Sequence, residues 1–197
     1  MPQGKQAKML TLKQETAVLT YLQTMRYPVR GRVMFLLSIK AGLRAKEIAC
    51  LTWAMVTDAD SQVAEVLTLP NRASKGQRGG RLIPLNHLLR AALVELHQRQ
   101  GDEVHPERPV VYSERGGHLT VSSVTKWFFH LYRDLGMTDC SSHSGRRTFI
   151  TRAARKVSEV GGSVRDVQQL AGHASLQTTQ RYIEGDTDAK RKLVQLI

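Results

Sequence analysis

The feature that most constrains the fold of this chain is a succession of helix-start and helix-stop signals, interrupted once by two short alternating stretches around a glycine-rich loop. Thr11 and Gln14 form a capping box ahead of a helix that extends to about Met25. Pro28 suits the first turn of the next helix, because it has no N–H to leave unpaired, and Gly42 is placed to end it. Arg44 opens a short helix in which Ile48 and Leu51 share its side; they should anchor its backbone while the long side chain reaches outward. Asn86 caps a helix to about Gln100, Thr120 starts one rich in aromatics (Trp127, Phe128, Phe129, Tyr132), and another follows Ser142 through Val157. Ser163 and Asp166 form a further capping box, with Gly172 as the C-terminal cap. Between these signals, Val63 to Leu69 partly alternates apolar and polar residues, and Arg81-Leu82-Ile83-Pro84-Leu85 follows a glycine-rich turn, which reads as a hairpin. Val110-Val111-Tyr112 reads as a short strand or a buried loop, and Ala189 to Ile197 as a last amphipathic helix. The expected fold class is mainly α (α+β), with a small antiparallel β-sheet.

At 197 residues the chain is long enough for one domain with a full core. Cys50 and Cys140 make neither a disulfide framework nor a metal-ligand spacing, which fits a reducing compartment. Met1-Pro2-Gln3-Gly4-Lys5 has no apolar signal core, and the run Val33 to Leu37 is too short to cross a bilayer. The expectation is a soluble, cytoplasmic protein with no membrane partner. Lysine and arginine number 29 against 17 acidic residues, a formal charge of +12. That excess suits a nucleic-acid binder, although a ribosomal-type structural protein or a protein drawn to anionic membranes would share it. The distribution favours nucleic acid, because the cations lie in loops and helix starts beside histidines rather than in one solvated block.

The polar residues point to a chemistry. His173 and Tyr182 lie nine residues apart in Leu170-Ala171-Gly172-His173-Ala174-Ser175-Leu176-Gln177-Thr178-Thr179-Gln180-Arg181-Tyr182. Upstream, His143 and Arg146 are one helical turn apart, and Arg44 stands near Glu47. Two arginines, two histidines and a tyrosine are what phosphoryl transfer on a polyanion needs: guanidinium groups for nonbridging oxygens, imidazoles for protons and a hydroxyl as nucleophile. The chain has no G-x-x-x-x-G-K-[ST] loop and no carboxylate cluster suited to Mg2+. Taken singly, each group has an ordinary reading: a packing tyrosine, a surface ion pair at Arg44, a solvated cation at Lys75, hydrogen-bonded histidines. Trp53 and Trp127 read as core aromatics.

The joint pattern resembles the catalytic domain of the tyrosine recombinases (phage integrases). The resemblance rests on Ala41-Gly42-Leu43-Arg44-Ala45-Lys46-Glu47-Ile48-Ala49-Cys50-Leu51-Thr52-Trp53, then Lys75 ahead of Ile83-Pro84-Leu85, then His143-x-x-Arg146 with Thr148-Phe149, then Leu170-x-Gly172-His173 and Tyr182, in the family's order and spacing. It implies that Tyr182 attacks a scissile phosphate to form a 3'-phosphotyrosyl bond, without metal, cofactor or ATP. Arg44 and Arg146 would clamp the nonbridging oxygens, Lys75 would be the general acid to the leaving 5'-oxygen, His143 a proton acceptor or hydrogen-bond partner, and His173 a donor to the phosphate. Glu47 would orient Arg44 or a neighbouring histidine. Arg72, Lys75, Arg78, Arg81, Arg147 and Arg181 are the expected contacts to DNA. The implied function is site-specific cleavage and rejoining of double-stranded DNA by a monomer that forms a tetramer on its site, with DNA-bending accessory proteins as further partners. A relaxing enzyme of the type IB topoisomerase kind and a noncatalytic DNA-binding regulator are the alternatives.

The domain reading is a single catalytic domain over 1–197, with a basic arm at 1–9, a tail at 183–197 that could dock on a neighbouring protomer, and no N-terminal core-binding domain. Such a chain is either a fragment or similar to the short single-domain recombinases. Two positions depart from the family pattern: Gly145 stands where leucine is frequent, and Arg147 where histidine is frequent.

Overall fold

A computed structural model describes residues 7–70, 80–101, 104–182 and 195. Helix α1 spans Leu12–Gln23, with the Thr11–Gln14 capping box formed as the sequence implies. The centre of the domain is α2, Pro28–Lys40, in which Val33, Phe35 and Leu37 are fully buried and Val29, Met34, Leu36 and Ile39 nearly so. A helix apolar on almost every side must be surrounded, and α1, α4 (His87–Gln100) and α6 (Ser144–Lys156) pack round it. Each large side chain so buried contributes about 1.5–3 kcal/mol of hydrophobic stabilisation.

After α2 the chain turns at Gly42, φ +65°, and enters the short α3, Ala45–Ala49. Strands β1 (Val66–Leu69) and β2 (Arg81–Pro84) form an antiparallel hairpin in which Leu67 faces Ile83 and Leu69 faces Arg81. Leu67, Leu69 and Ile83 point into the core, and Leu82 lies exposed on the other face. The loop expected to carry Arg72, Lys75 and Arg78 lies outside the described residues. Val110 and Val111 are fully buried, and the segment around them makes only isolated bridges, Thr52 to Pro109 and Tyr112 to His118. Of the two readings of that segment, the structure shows the buried loop. Trp53 is fully buried, with its Nε1–H donating to Gln100 Oε1 at 3.1 Å, and Trp127 covers Gly31 of α2.

Helix α5 (Val121–Asp134) starts at a Thr120 cap, as expected. α6 ends in a 3-10 turn, Val157–Val160, and α7 (Val164–Ala171) has the expected Ser163–Asp166 capping box and a left-handed Gly172. An element that the sequence reading omitted is α8, Leu176–Gln180, capped by the Ser175 side chain. The expected last helix falls outside the described residues, save Gln195. Among the described residues no helix is long and apolar enough to cross a membrane.

The N-terminal segment is tied to α6. Leu10 N–H donates to Thr148 Oγ1 at 2.8 Å, Arg152 Nη2 donates to Leu10 O at 2.9 Å, and the nearly buried Glu15 takes charge-assisted bonds from Arg152 and Lys40. The helix that carries Arg146 is thereby held at its outer face as well as against α2.

Candidate active site

Four separate stretches of chain bring the polar residues together. The first is the elbow between α2 and α3. Phe149 presses on Gly42 so closely that a Cβ there would lie 2.4 Å from Phe149 Cδ1, so both the left-handed φ and the contact require glycine. Arg44, at the N-cap of α3, donates its backbone N–H to Glu47 Oε2 at 2.7 Å and its Nη1 to Oε1 at 2.9 Å. Its Nη2 reaches Gly172 O at 3.4 Å. Arg44 does not extend freely outward as expected: its side chain is 27% exposed and pinned by Glu47, because a fully buried carboxylate holds whatever cation is nearest.

The second stretch is the start of α6. His143 is its exposed N-cap, and Arg146 in the first turn is 4% exposed, with Nη1 donating to Gly42 O at 2.5 Å and Nη2 to Ala171 O at 2.6 Å. The third is the end of α7 and the turn after it. His173 Nδ1 and Thr179 Oγ1 share a 2.9 Å hydrogen bond, and Gln168 Nε2 donates to His173 O at 3.0 Å. When the Thr179 hydroxyl donates, Nε2 carries the imidazole proton and can offer it to an anion. α8 then returns the chain so that the Tyr182 ring stacks on His173, with centroids 5.6 Å apart and 21° between planes. The fourth stretch is β2, from which Arg81 enters the protein interior to meet Glu47 and Ala171 O.

Arg44, His143, Arg146, His173 and Tyr182 line one cleft of about 550 Å³, to which Arg147 and Arg181 also contribute. Lys75, Arg72 and Arg78 lie outside the described residues. Glu47 stands behind the cleft at 1% exposure. Arg81, expected at the DNA surface, has a side chain only 8% exposed and turned inward. Sequence reasoning missed that inward course, the part played by Thr179, and the carbonyl acceptors at Gly42, Ala171 and Gly172. Ser175 was a legible cap, but the helix behind it is too short for periodicity to show.

Three guanidinium groups, Arg44, Arg81 and Arg146, surround the single carboxylate of Glu47, which leaves a formal excess of two positive charges. Burial would raise the Glu47 pKa, but Arg81 and the N–H and charge of Arg44 outweigh it and hold the carboxyl below its ordinary value. Burial, then the Arg44 charge, press the Arg146 guanidinium down to about 9, with Glu47 opposing; it stays protonated at neutral pH. Burial, and then Arg146, Arg44 and Arg81, push His173 down to about 4, so its imidazole is neutral at pH 7. A partly desolvated positive field with a neutral hydrogen-bond donor is suited to an anion bearing several oxygens. Among the described residues no group of three or more His, Cys, Asp or Glu side chains is arranged to hold a metal.

A mainly helical domain with one hairpin, gathering these groups at one basic cleft, is the architecture of a tyrosine-recombinase catalytic domain. The Tn1549 transposon integrase in complex with transposon right end DNA superposes with a TM-score of 0.74 at 19% identity, covering 100% of this chain and 68% of that one. The XerH site-specific recombinase in its post-cleavage complex with palindromic difH substrate superposes with a TM-score of 0.73 at 20% identity, covering 98% of this chain and 53% of that one. These likenesses concern the fold. The chain belongs to the phage integrase family, whose profile matches residues 8–188. The tyrosine recombinase XerC of Chromohalobacter salexigens is 30% identical over 160 residues, 80% of this chain and 49% of the relative. That of Xylella fastidiosa is 31% identical over 159 residues, 80% of this chain and 49% of the relative. The chain therefore spans about half the length of the curated relatives it matches.

Proposed function

We propose that this chain cleaves and rejoins double-stranded DNA at specific sites through a 3'-phosphotyrosyl intermediate. The carrying observation is the convergence of Arg44, His143, Arg146, His173 and Tyr182, distant in sequence, on one cleft with an excess of positive charge. Tyr182 Oη attacks phosphorus and the P–O5' bond breaks. His143 takes the tyrosine proton and Lys75 supplies one to the departing 5'-oxygen. Attack by a 5'-hydroxyl on the tyrosyl ester runs the same steps backward, so one phosphodiester replaces another and neither ATP nor metal is called for. Arg44, Arg146 and the His173 Nε2–H stabilise the charge on the nonbridging oxygens, each by about 3 kcal/mol if they resemble other oxyanion donors.

The chain acts in the cytoplasm as a catalytic domain, monomeric in solution and tetrameric on its DNA, with accessory bending proteins as partners. Arg147 and Arg181, with Arg72 and Arg78, meet the backbone phosphates. A library of random duplexes, each with one 5'-bridging phosphorothiolate, tests this reading and finds the site, because the 5'-thiol leaves readily and rejoins poorly. The wild type should form a covalent adduct in EDTA, whose trapped DNA gives the sequence on which it acts. Tyr182→Phe should bind the same DNA and form none. An adduct in that variant, or one that depends on added Mg2+, overturns the mechanism.

A further inference from the structure

Arg81 is the first residue of β2, opposite Leu69, and is absent from the residues that line the cleft. Its guanidinium lies edge-on to Glu47, Nη1 to Oε1 at 3.1 Å and Nη2 to Oε2 at 2.9 Å, while Nη1 also donates to Ala171 O at 3.2 Å. Arg44 donates to the same two carboxylate oxygens through its Nη1 and its backbone N–H. Ala171 O is shared in turn with Arg146 Nη2. One side chain from the hairpin thus bears on the partners of both cleft arginines, and on the carbonyl two residues before His173.

The backbone makes room for it. A Cβ on Gly172 would lie 2.3 Å from Arg81 Nη1, so the left-handed glycine that ends α7 also admits the guanidinium. Lysine, a point donor on a flexible stem, cannot span two carboxylate oxygens and a carbonyl at once.

We propose that Arg81 is a positioning residue, which holds Glu47, and through it Arg44, in register with the Ala171–His173 turn so that the cleft meets a phosphate ready-formed. This role rests on the DNA-cleaving reading above and replaces the DNA contact expected for Arg81 from sequence. It also ties the cleft to β2, the strand next in sequence after the segment that contains Lys75.

The test uses Arg81→Lys and Arg81→Gln on the trapped DNA sequence. Arg81→Lys keeps a cation beside the buried carboxylate, and thermal melting establishes that it folds. Cleavage at saturating DNA should be roughly ten- to a hundredfold slower, the loss expected of sub-ångström to ångström misplacement. DNA affinity and its salt slope should stay within about twofold of wild type, since no phosphate contact is removed. In Arg81→Gln the acid limb of the rate should move to higher pH, because Glu47, faced by Arg44, Arg81 and Arg146, loses one of the charges that keep it ionised. An unchanged rate of Arg81→Lys at saturating DNA overturns the proposal, as does weaker binding of Arg81→Gln with a salt slope shallower by about one, which marks a phosphate contact.

Wild-type protein on the same DNA separates the two readings. No wild-type adduct rejects DNA cleavage, whereas a wild-type adduct with an unimpaired Arg81→Lys rejects positioning alone. Inorganic phosphate gives a readout without cleavage: its binding to the free protein, followed by the His173 ring resonances, should weaken several-fold in Arg81→Lys, and equal affinity also overturns the proposal.

Discussion

At the residue scale, His173 shows how position changes what a side chain is. In an unfolded chain its pKa is near the ordinary 6.5; in the fold, burial and three arginine charges bring it to about 4. Between those values the unfolded chain binds more protons than the native protein, so stability is full above about pH 6.5 and falls as the pH drops toward 4. Urea unfolding midpoints measured from pH 7.5 to 4 should decline across that window, and His173→Gln should flatten the decline. A midpoint in wild type that is level between pH 6.5 and 4.5 would contradict the neutral, desolvated imidazole. The sequence marked His173 as a candidate because of its spacing from Tyr182. It could not show the Thr179 hydroxyl at Nδ1 or the ring stacking, since both depend on how α8 turns the chain.

Among elements, α6 packs closely on α2. Gly145 lies against Ser38, and a Cβ there would stand 2.4 Å from Ser38 Oγ, 3.0 Å from its Cβ and 3.3 Å from its backbone carbon. This accounts for glycine at 145, where the family resemblance implied leucine: the two helices approach too closely there for a side chain. Gly145→Leu should therefore destabilise the domain by about 1–3 kcal/mol through overpacking, more than the roughly 1 kcal/mol that helix propensity would return. Chemical denaturation would show a lower midpoint. The shift of α6 should also displace Arg146 from Gly42 O and Ala171 O and so slow cleavage of the trapped DNA. A variant as stable as wild type would mean that the helices can separate without cost. The caps at Thr11, Asn86, Thr120 and Ser163 were legible because each satisfies N–H groups within three residues. The Val110–Tyr112 segment was ambiguous because two buried valines fit a strand or a loop equally well until the partner backbone is known.

For the whole molecule, the charge of +12 and the cleft arginines set the expected response to salt. If binding rests mainly on phosphate contacts, log affinity should fall linearly with log salt, at roughly −0.9 per phosphate neutralised on duplex DNA. Fluorescence anisotropy with a nonspecific duplex from low to moderate salt would measure that slope, and an affinity almost indifferent to salt would exclude the basic face as the DNA surface.

By itself the sequence marked most of the elements, though not α8, and nominated the polar residues of the candidate site. Capping boxes, a helix-leading proline and left-handed glycines are local devices, each complete within a few residues, so they could be read without knowing the fold. The polar residues were recognisable because their order and spacing repeat a family pattern. Tertiary structure decided which groups work on which. Glu47 holds Arg81, 34 positions away, as well as its neighbour Arg44, and Ala171 O holds Arg146 and Arg81, 25 and 90 positions away. Direction was likewise a tertiary outcome: Arg81 and Arg147 are both arginines near the same motifs, yet one is sealed against a buried carboxylate and the other lines the cleft. A long cationic side chain goes where an unsatisfied anion and a gap in the backbone admit it, and only the packed chain creates either.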